Sequence, residues 1–390
     1  MSEAEAGKAR GLPEWSYVPA DTSEPILDST VGSVLREVAA RCPDRMALVE
    51  GISPSEARKT WTYAELLADS ETVARALAAR FEKGERVAVW APNIPEWVVL
   101  EFGAALAGVV LVTVNPAYQP KELHYVLEQS RSSGIFYLPA FRGNPMGRYL
   151  EEVRADLPDL RELISFEDWA AFLASAGPDQ ALPEVRADDP VQIQYTSGTT
   201  GFPKGAYLHH RGITNNGRLF GQRFGVTDED VYVNPMPLFH TGGCVLAVLS
   251  AIQAGATLVC MVQFEPGLML ELLEHEQATH LLGVPTMLIA IMEHPDFSRR
   301  NLERVRSVCS GGATVPADLV RRIESTLGVK FSIIYGQTES SPTITLMKPD
   351  DTPEDKASTL GPVLPQTEVK VIDPTTGEIV RTGESGELCT

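Results

Sequence analysis

The run Tyr195-Thr-Ser-Gly-Thr-Thr-Gly-Phe-Pro-Lys-Gly-Ala206 decides how the rest of this chain is interpreted. Before it, Val191-Gln-Ile-Gln-Tyr195 alternates apolar and polar residues, which predicts a β-strand that enters the run. The glycines allow tight turns and a close approach of the backbone to a ligand. Backbone N–H groups, hydroxyls and the ammonium group of Lys204 can then surround phosphate oxygens. The length and order of the run favour a phosphate-binding loop over the alternative, a surface loop without a ligand.

This loop differs from the common P-loop, which ends in Gly-Lys-Ser/Thr and leads directly into a helix. Pro203 precedes Lys204 here, and Ala206-Tyr-Leu208 is expected to be extended. A helix is predicted to begin only at His209-His-Arg211. The sequence therefore predicts a strand, a phosphate loop, a second extended segment and then a helix.

The composition excludes several classes of partner. The chain has 390 residues, of which 44% are hydrophobic and 22% are charged, so two or three packed units are expected. Its formal charge of −19 argues against nucleic acid and anionic membranes. Its apolar runs fall short of the roughly 20 residues that span a bilayer, and the acidic start is not a signal peptide. The five scattered cysteines predict reduced thiols and a cytoplasmic protein.

Strand and helix patterns alternate along most of the chain, which predicts an α/β fold with largely parallel sheets and a ligand at the carboxyl ends of the strands. An irregular arm is predicted at 1–29, with Trp15 and Tyr17 docking it onto the body. A first α/β subdomain is predicted at 30–190, and its residues from 140 onward form a peripheral segment. A second α/β subdomain, carrying the phosphate loop and a ligand pocket, is predicted at 191–341. Residues 342–390 are expected to start a β-rich subdomain that is cut short.

Four further motifs accompany the phosphate loop: Val114-Asn-Pro-Ala-Tyr118, Pro237-Leu-Phe-His240, Gly283-Val-Pro-Thr286 and Tyr335-Gly-Gln-Thr-Glu339. With that loop they resemble the adenylate-forming, AMP-binding enzyme superfamily, and they are most similar to its medium- and long-chain acyl-CoA synthetases. The resemblance implies the large N-terminal domain, in which two αβαβα-type subdomains pack together beside a β-barrel-like third. It also implies that a C-terminal lid domain is missing.

The resemblance implies ATP or AMP, Mg²⁺ and coenzyme A as ligands, and it assigns most of the nucleotide contacts. A flat ring suits a base, a hydroxyl suits a phosphate oxygen, and the carboxylate of Glu339 suits a hard cation such as Mg²⁺. The residues implied for the nucleotide are Thr196, Ser197, Gly198, Thr199, Thr200, Gly201, Lys204, Gly311, Gly312, Ala313, Tyr335, Gly336, Gln337 and Thr338.

The resemblance places His240 beside the carboxylate of the substrate acid and, with Lys204, Thr338 and Glu339, in the catalytic set. The residues implied for the acid are Phe239, His240, Gly283, Val284, Pro285, Thr286 and Gly311. The segment Phe239–Gly243 contains no carboxylate that could bind an α-amino group, so a hydrophobic acid is expected rather than an amino acid. Plain core packing stays the alternative for His240 and for Gly283–Thr286.

Together these expectations describe an AMP-forming acyl-CoA ligase. The acid attacks the α-phosphate of Mg·ATP, pyrophosphate leaves, and the thiol of CoA then displaces AMP from the acyl adenylate. Three alternatives stay open: thioesterification of a supplied acyl adenylate alone, transfer to an acyl carrier protein, and a non-catalytic nucleotide-binding regulator. Neither a nucleic-acid partner nor stable membrane insertion is expected, and a homodimer is one option for the oligomeric state.

Overall fold

The computed structural model describes residues 13–196 and 203–390. Five predicted phosphate-loop ligands therefore lie outside the described residues: Ser197, Gly198, Thr199, Thr200 and Gly201. The two ends of that loop, Thr196 and Lys204, are described. Within the described ranges, no helix combines the length and apolarity needed to cross a bilayer.

Strands and helices alternate as the sequence predicts. The strands are β1 (Tyr17–Val18), β2 (Met46–Gly51), β3 (Thr60–Thr62), β4 (Arg86–Trp90), β5 (Val110–Val114), β6 (Gly134–Tyr137), β7 (Glu162–Ser165), β8 (Pro190–Thr196), β9 (Lys204–His209), β10 (Val231–Asn234), β11 (Thr257–Met261), β12 (His280–Leu282), β13 (Ser307–Gly311), β14 (Lys330–Gly336), β15 (Thr343–Leu346), β16 (Val369–Ile372) and β17 (Glu387–Cys389). The α-helices are α1 (Val31–Arg41), α2 (Tyr63–Ala78), α3 (Pro95–Ala107), α4 (Pro120–Ser130), α5 (Met146–Val153), α6 (Trp169–Ala174), α7 (His210–Phe224), α8 (Ser250–Ala254), α9 (Pro266–His275), α10 (Pro285–Glu293), α11 (Ala317–Leu327) and α12 (Pro353–Ser358).

Local sequence signals set many helix ends. At the start of α2, the Thr62 hydroxyl accepts from the Glu65 N–H at 3.3 Å, and the Glu65 carboxylate accepts from the Thr62 N–H at 2.8 Å. This is the capping box that the sequence predicts. Proline occupies the first turn of α3, α4, α9 and α10, where its missing N–H is not needed. Left-handed glycines end α3 and α7, at Gly108 and Gly225.

Two sheets dominate the fold. The first has six strands in the order β7-β6-β4-β5-β8-β9, all parallel except β9. The second has eight strands in the order β15-β14-β13-β12-β10-β11-β2-β3, antiparallel only at its two edge pairs. Strands β2 and β3, from early in the chain, thus complete a sheet otherwise built after residue 230. The subdomain boundaries given above stay a prediction.

A third sheet joins the two ends of the chain. It is antiparallel, with the order β1-β16-β17, and Tyr17 pairs with Lys370. Part of the arm predicted as irregular is therefore a strand, which two residues of pattern are too few to reveal. The run Asp373-Pro-Thr-Thr-Gly377, whose residue types are typical of a turn, does form one, since the Gly377 N–H donates to the Asp373 carbonyl at 2.8 Å.

Helix α3 is buried on all sides, as its nearly continuous apolar sequence predicts. It packs against α2 so closely that a Cβ at Gly103 would overlap the side chain of Val73. The charged residue Glu101 lies within this buried helix and is only 1% exposed. Its position sets up a polar network beneath the candidate site.

Two segments differ from the sequence prediction. The stretch 140–190, predicted as peripheral, contains β7, which pairs in parallel with β6 at the sheet edge. Four residues followed at once by a 3₁₀ turn give too short a pattern for a strand to be recognised. The apolar run 243–254 has a pattern that indicates an α-helix, but it is a π-helix over Gly242–Leu249 and becomes α-helical only in α8.

Candidate nucleotide and acyl site

The carboxyl ends of parallel strands from both large sheets meet at one cleft of about 800 Å³. Asn93 and Asn115 enter it from the loops after β4 and β5, in the six-stranded sheet. Phe239 and Phe264 enter it from the loops after β10 and β11, in the eight-stranded sheet. This is the edge at which α/β proteins bind ligands, as predicted from the alternation of elements.

The two ends of the phosphate loop lie together. Thr196 and Lys204 are direct partners across the antiparallel pair β8–β9, and the Tyr125 hydroxyl donates to the Pro203 carbonyl at 3.0 Å. The Lys204 side chain is exposed, and its ammonium group has no hydrogen bond or ion pair with a described residue. A cation at the end of a loop, not already neutralised by a neighbouring carboxylate, suits an anionic ligand.

Strand β9 contacts the turn that carries Thr338 and Glu339. This turn follows β14 at Gly336, where a Cβ would overlap the Pro342 carbonyl oxygen. The Gln337 N–H donates to that same oxygen at 2.9 Å, so the chain reverses tightly into β15. Glycine at 336 is required by this close approach. The predicted phosphate and metal residues therefore lie on adjoining elements.

Glu339 fits the hard cation predicted for it. Its side chain is exposed, and no described donor engages the carboxylate. Mg²⁺ is ordinarily bound by one or two carboxylates together with substrate phosphates and water. An exposed carboxylate next to Thr338, on a turn that contacts β9, provides that kind of partial coordination. Over the described parts of the chain, no group of three His, Cys, Asp or Glu residues forms a complete metal cage.

Residues predicted for the nucleotide base share a second cavity, of about 590 Å³. Gly312 and Ala313 line it after β13, and Tyr335 and Gly336 line it at the end of β14. Gly311 cannot carry a side chain, because a Cβ there would overlap Ile334 on the neighbouring strand. The structure thus brings the Gly311–Ala313 turn and Tyr335 to one edge, and Gln337 lies just beyond it.

His240 is presented by a tight loop after β10. Its ring is exposed and lies 4.4 Å, centroid to centroid, from the ring of Phe239, which lines the cleft. Protein on the other sides removes water and lowers the pKa of His240 below its usual value, so the imidazole is neutral at pH 7. The loop needs glycine at 243, where a Cβ would overlap the Pro237 carbonyl oxygen.

The segment predicted to bound the acyl group lies next to the nucleotide residues. The Gly283 N–H donates to the Cys309 carbonyl at 3.0 Å, which links the residue after β12 to the middle of β13. Val284 caps α10, Pro285 is buried at its first turn, and Thr286 is exposed. The residue that reaches the cleft with Phe239 is Met287, the next one along.

Arg142 is a cleft residue that the sequence reasoning missed. It occupies the corner of a two-residue hairpin between Phe141 and Asn144, and Arg142 and Gly143 have φ values of 51° and 79°. The Asn144 side chain anchors this hairpin by donating to the Pro116 carbonyl at 2.8 Å. The guanidinium is exposed and makes no ion pair or hydrogen bond within the described ranges. The Arg-Gly dipeptide is the only sequence signal, and it is a weak one.

A chain of buried polar side chains runs beneath the site. The Gln192 amide donates to the Glu101 carboxyl at 2.7 Å, and the Gln194 amide donates to the Gln192 oxygen at 2.8 Å. The Gln194 amide also contacts the Cys244 sulfur at 3.0 Å, and that thiol lies 3.4 Å from the His240 carbonyl. Strand β8, which leads to the phosphate loop, is thereby joined to the loop that carries His240.

Comparison with known proteins gives consistent results. A family model described as AMP-binding enzyme matches residues 35–390. The putative acyl-CoA synthetase YngI of Bacillus subtilis (strain 168) is 35% identical, over 94% of this chain and 71% of its own length. The mitochondrial medium-chain acyl-CoA ligase ACSF2 of Rattus norvegicus is also 35% identical, over 96% of this chain and 66% of its own length. The chain therefore spans about two thirds of the length of these curated relatives.

Among solved structures, the N-terminal domain of FACL13 from Mycobacterium tuberculosis superposes with a TM-score of 0.83 at 28% identity. The match covers 92% of this chain and 88% of that domain. The mixed α/β fold class predicted from the sequence, with its parallel sheets, is confirmed by this likeness.

Proposed function

Since this chain belongs to the AMP-binding enzyme family, we propose that it forms the nucleotide- and acid-binding body of an AMP-forming acyl-CoA ligase. The resemblance drawn from its motifs is confirmed at the level of the family. The observation that carries the proposal is the contact between β9, which begins at Lys204, and the turn that carries Thr338 and Glu339. The name of the Rattus norvegicus relative, a medium-chain acyl-CoA ligase, supports a medium-chain acid as the substrate class.

In the proposed first step, a carboxylate oxygen of the acid attacks the α-phosphorus of ATP, and the bond to pyrophosphate breaks. Lys204 and the Thr338 hydroxyl stabilise negative charge on the phosphates as it redistributes. Glu339 would hold Mg²⁺, which supplies further charge neutralisation when it is bound. The neutral imidazole of His240 can donate one hydrogen bond to the substrate carboxylate without becoming a counter-ion.

In the proposed second step, the thiol of CoA loses its proton to solvent and its sulfur attacks the acyl carbon. The bond between that carbon and the bridging oxygen of the mixed anhydride breaks, and AMP leaves with the electron pair. CoA carries phosphate groups at the end remote from its thiol, and the cleft that reaches Phe239 contains the exposed guanidinium of Arg142. We infer that Arg142 binds one of these phosphates by a charge-assisted hydrogen bond. An acyl carrier protein is the alternative acceptor, because it presents the same thiol arm.

The proposed compartment is the cytoplasm. All five cysteines are free thiols, and Cys244, Cys260 and Cys309 among them are buried. Unpaired thiols support a reducing compartment.

Acid-dependent exchange of labelled pyrophosphate into ATP by the full-length protein tests the first step. Exchange is expected with hydrophobic acids, and Lys204→Ala or Glu339→Ala should reduce it at least tenfold, since a lost charge contact to a phosphate is worth about 1.5–3 kcal/mol. The absence of pyrophosphate exchange with fatty, aromatic and polycyclic acids would exclude the adenylation step. If the protein still converted a supplied acyl adenylate to acyl-CoA, thioesterification would be the only half-reaction that it performs.

The acceptor is tested by supplying acyl adenylate with either CoA or a holo-carrier protein. Arg142→Ala is expected to raise the KM for CoA roughly tenfold and to leave pyrophosphate exchange unchanged. Arg148→Ala is the matched control, because Arg148 is also exposed and free of described partners but does not line the cleft. Equal KM values for CoA in the Arg142→Ala and Arg148→Ala variants would show that Arg142 does not bind CoA.

A further inference from the structure

Two consecutive asparagines on α7 hold remote backbone segments in the same way. The Asn215 amide donates to the Leu27 carbonyl at 2.8 Å, and its oxygen accepts from the Leu27 N–H at 2.9 Å. The Asn216 amide donates to the Thr343 carbonyl at 2.9 Å, and its oxygen accepts from the Thr343 N–H at 2.9 Å. Each side chain therefore satisfies both polar groups of one distant residue, as a neighbouring strand would.

The two asparagines differ in what they hold. Asn215 binds the extended arm before α1, whereas Asn216 binds the first residue of β15, directly after the turn with Thr338 and Glu339. The Asn216 amide also lies 3.4 Å from the carbonyl of Ser340 inside that turn. Its side chain is buried, so solvent does not replace these hydrogen bonds easily.

The turn needs the hydrogen bonds from Asn216 because the pairing of β14 with β15, which flank the turn, is irregular. The register of β14 against β15 shifts between Tyr335 and Gly336, at the point where the turn begins. Helix α7 also lies close to the turn one helical turn before Asn216, since a Cβ at Gly212 would lie 2.7 Å from the Ser341 hydroxyl oxygen. The surface of α7 and the Asn216 amide therefore contact the turn and stabilise its conformation.

Helix α7 follows β9 without a break, and β9 begins at Lys204. We propose that Asn216 is a positioning residue that fixes the turn bearing Thr338 and Glu339 relative to Lys204. The groups that would bind the phosphates from two sides are then held in one geometry before the nucleotide arrives. This inference rests on the function proposed above.

The test compares Asn216→Asp with Asn215→Asp in the full-length protein. Each change keeps the shape of the side chain but turns an amide donor toward a carbonyl into a carboxylate oxygen. Both variants should lose stability, which thermal unfolding reports. Only Asn216→Asp is expected to lower kcat for pyrophosphate exchange, roughly tenfold or more, and to raise the Mg²⁺ concentration at half-maximal rate. Asn215→Asp should stay within about twofold of wild type.

A double variant separates positioning from general damage. If Asn216 acts through Glu339, Asn216→Asp should add little to the loss already caused by Glu339→Ala, whereas independent effects multiply. Multiplying effects, or equal exchange rates in the two Asp variants, would overturn the proposal. If Asn216→Asp does not fold, the same comparison is made between Asn216→Ser and Asn215→Ser. Absence of exchange in the wild type would instead overturn the proposed function, and this inference with it.

Discussion

Two buried carboxyl groups, Glu101 and Asp230, show how this protein distributes charge. Glu101 is 1% exposed and Asp230 is 3% exposed, yet their pKa values move in opposite directions. Burial raises the pKa of Glu101 well above its usual value, because a single hydrogen bond from Gln192 offsets little of the lost hydration. Burial therefore favours the protonated, neutral form of Glu101.

Asp230 keeps its charge despite similar burial. Burial acts to raise its pKa, but the hydrogen bond from the Thr227 N–H, the electrostatic influence of the nearby His280 ring and the Thr227 hydroxyl together outweigh it, so the pKa is lowered. The Arg306 guanidinium also contacts both carboxylate oxygens at 2.6 Å. The number of donors around a buried carboxyl, more than its depth, decides whether it stays ionised.

Asp230 and Glu101 lie toward opposite ends of the parallel strands. Asp230 precedes β10, His280 begins β12 and Arg306 precedes β13, so this ionic cluster lies at the amino ends of the parallel strands. Glu101 belongs to the polar chain that leads to His240 near the carboxyl ends. An ionised carboxylate there would add negative charge beneath a site proposed to bind phosphates and an acid. Neutrality of Glu101 therefore suits its location.

The largest expected effect comes from removing the charge of Asp230. Asp230→Asn places an amide group against donors from Thr227 and Arg306, and it should lower the free energy of unfolding by about 3 kcal/mol. Denaturant titration at pH 7 measures the loss. Asp188→Asn is the control, because its carboxylate also pairs with an arginine but its side chain is 73% exposed. A loss near zero in both variants would mean that the buried cluster holds no net charge interaction.

The next effect concerns His280, whose ring is fully buried against Phe224. Burial lowers its pKa from 6.5 to about 4, so between these values the unfolded chain binds a proton that the folded chain does not. Stability should therefore fall as pH decreases through this window, by about 2 kcal/mol at pH 5 from this residue alone. His280→Gln should flatten the slope of unfolding free energy between pH 7 and pH 5, whatever its stability at pH 7.

The exposed His275 offers the matched control for that measurement, since its side chain is 54% exposed. His275→Gln should leave the slope unchanged. A slope that is equally steep in His280→Gln and in wild type would show that another group is responsible, the most direct candidate being His210, whose pKa burial also lowers to about 4.

Local patterns were enough to predict most of this architecture. The capping box at Thr62 and Glu65, the prolines that begin helices and the apolar strands all act over a few residues, so sequence spacing reveals them. The strand order of the two sheets could not be predicted in the same way. Nothing within β2 indicates that Leu48 pairs with Leu258, more than 200 residues later. Such pairing depends on how complete helices pack.

The residues of the candidate site also differ in whether a short sequence pattern or a long-range contact reveals them. Lys204, Thr338 and Glu339 lie in motifs with a recognisable chemical pattern, and the structure places their elements in contact. Asn216 looks like an ordinary polar helix residue, because its partner Thr343 is 127 positions away. Arg142 was missed because its importance depends on a hairpin that turns it into the cleft. Whether these residues act as assigned stays a prediction.

A further expected effect, which develops only as the pH rises, separates the two carboxyl groups most sharply. Glu101→Gln replaces a neutral acid by a neutral amide of the same shape, and the new side chain can still accept from Gln192. At pH 5 its unfolding free energy should be close to that of wild type. Above the unfolded pKa, folding of the wild type must keep a proton on Glu101 that the unfolded chain releases, so wild-type stability falls as pH rises toward the raised folded pKa.

Relative to wild type, Glu101→Gln should therefore gain about 1.4 kcal/mol for each pH unit within that window. Denaturant titrations of both proteins at pH 5, 6 and 7 measure the difference directly, and other titrating groups cancel between them. Asp230→Asn should show the opposite trend at acid pH, because the charge it removes stabilises the fold only above the lowered pKa of Asp230. A difference for Glu101→Gln that stays constant with pH would mean that Glu101 is ionised in the folded protein. The chain of amides beneath His240 would then carry a charge, and the contrast between the two ends of the sheets would disappear.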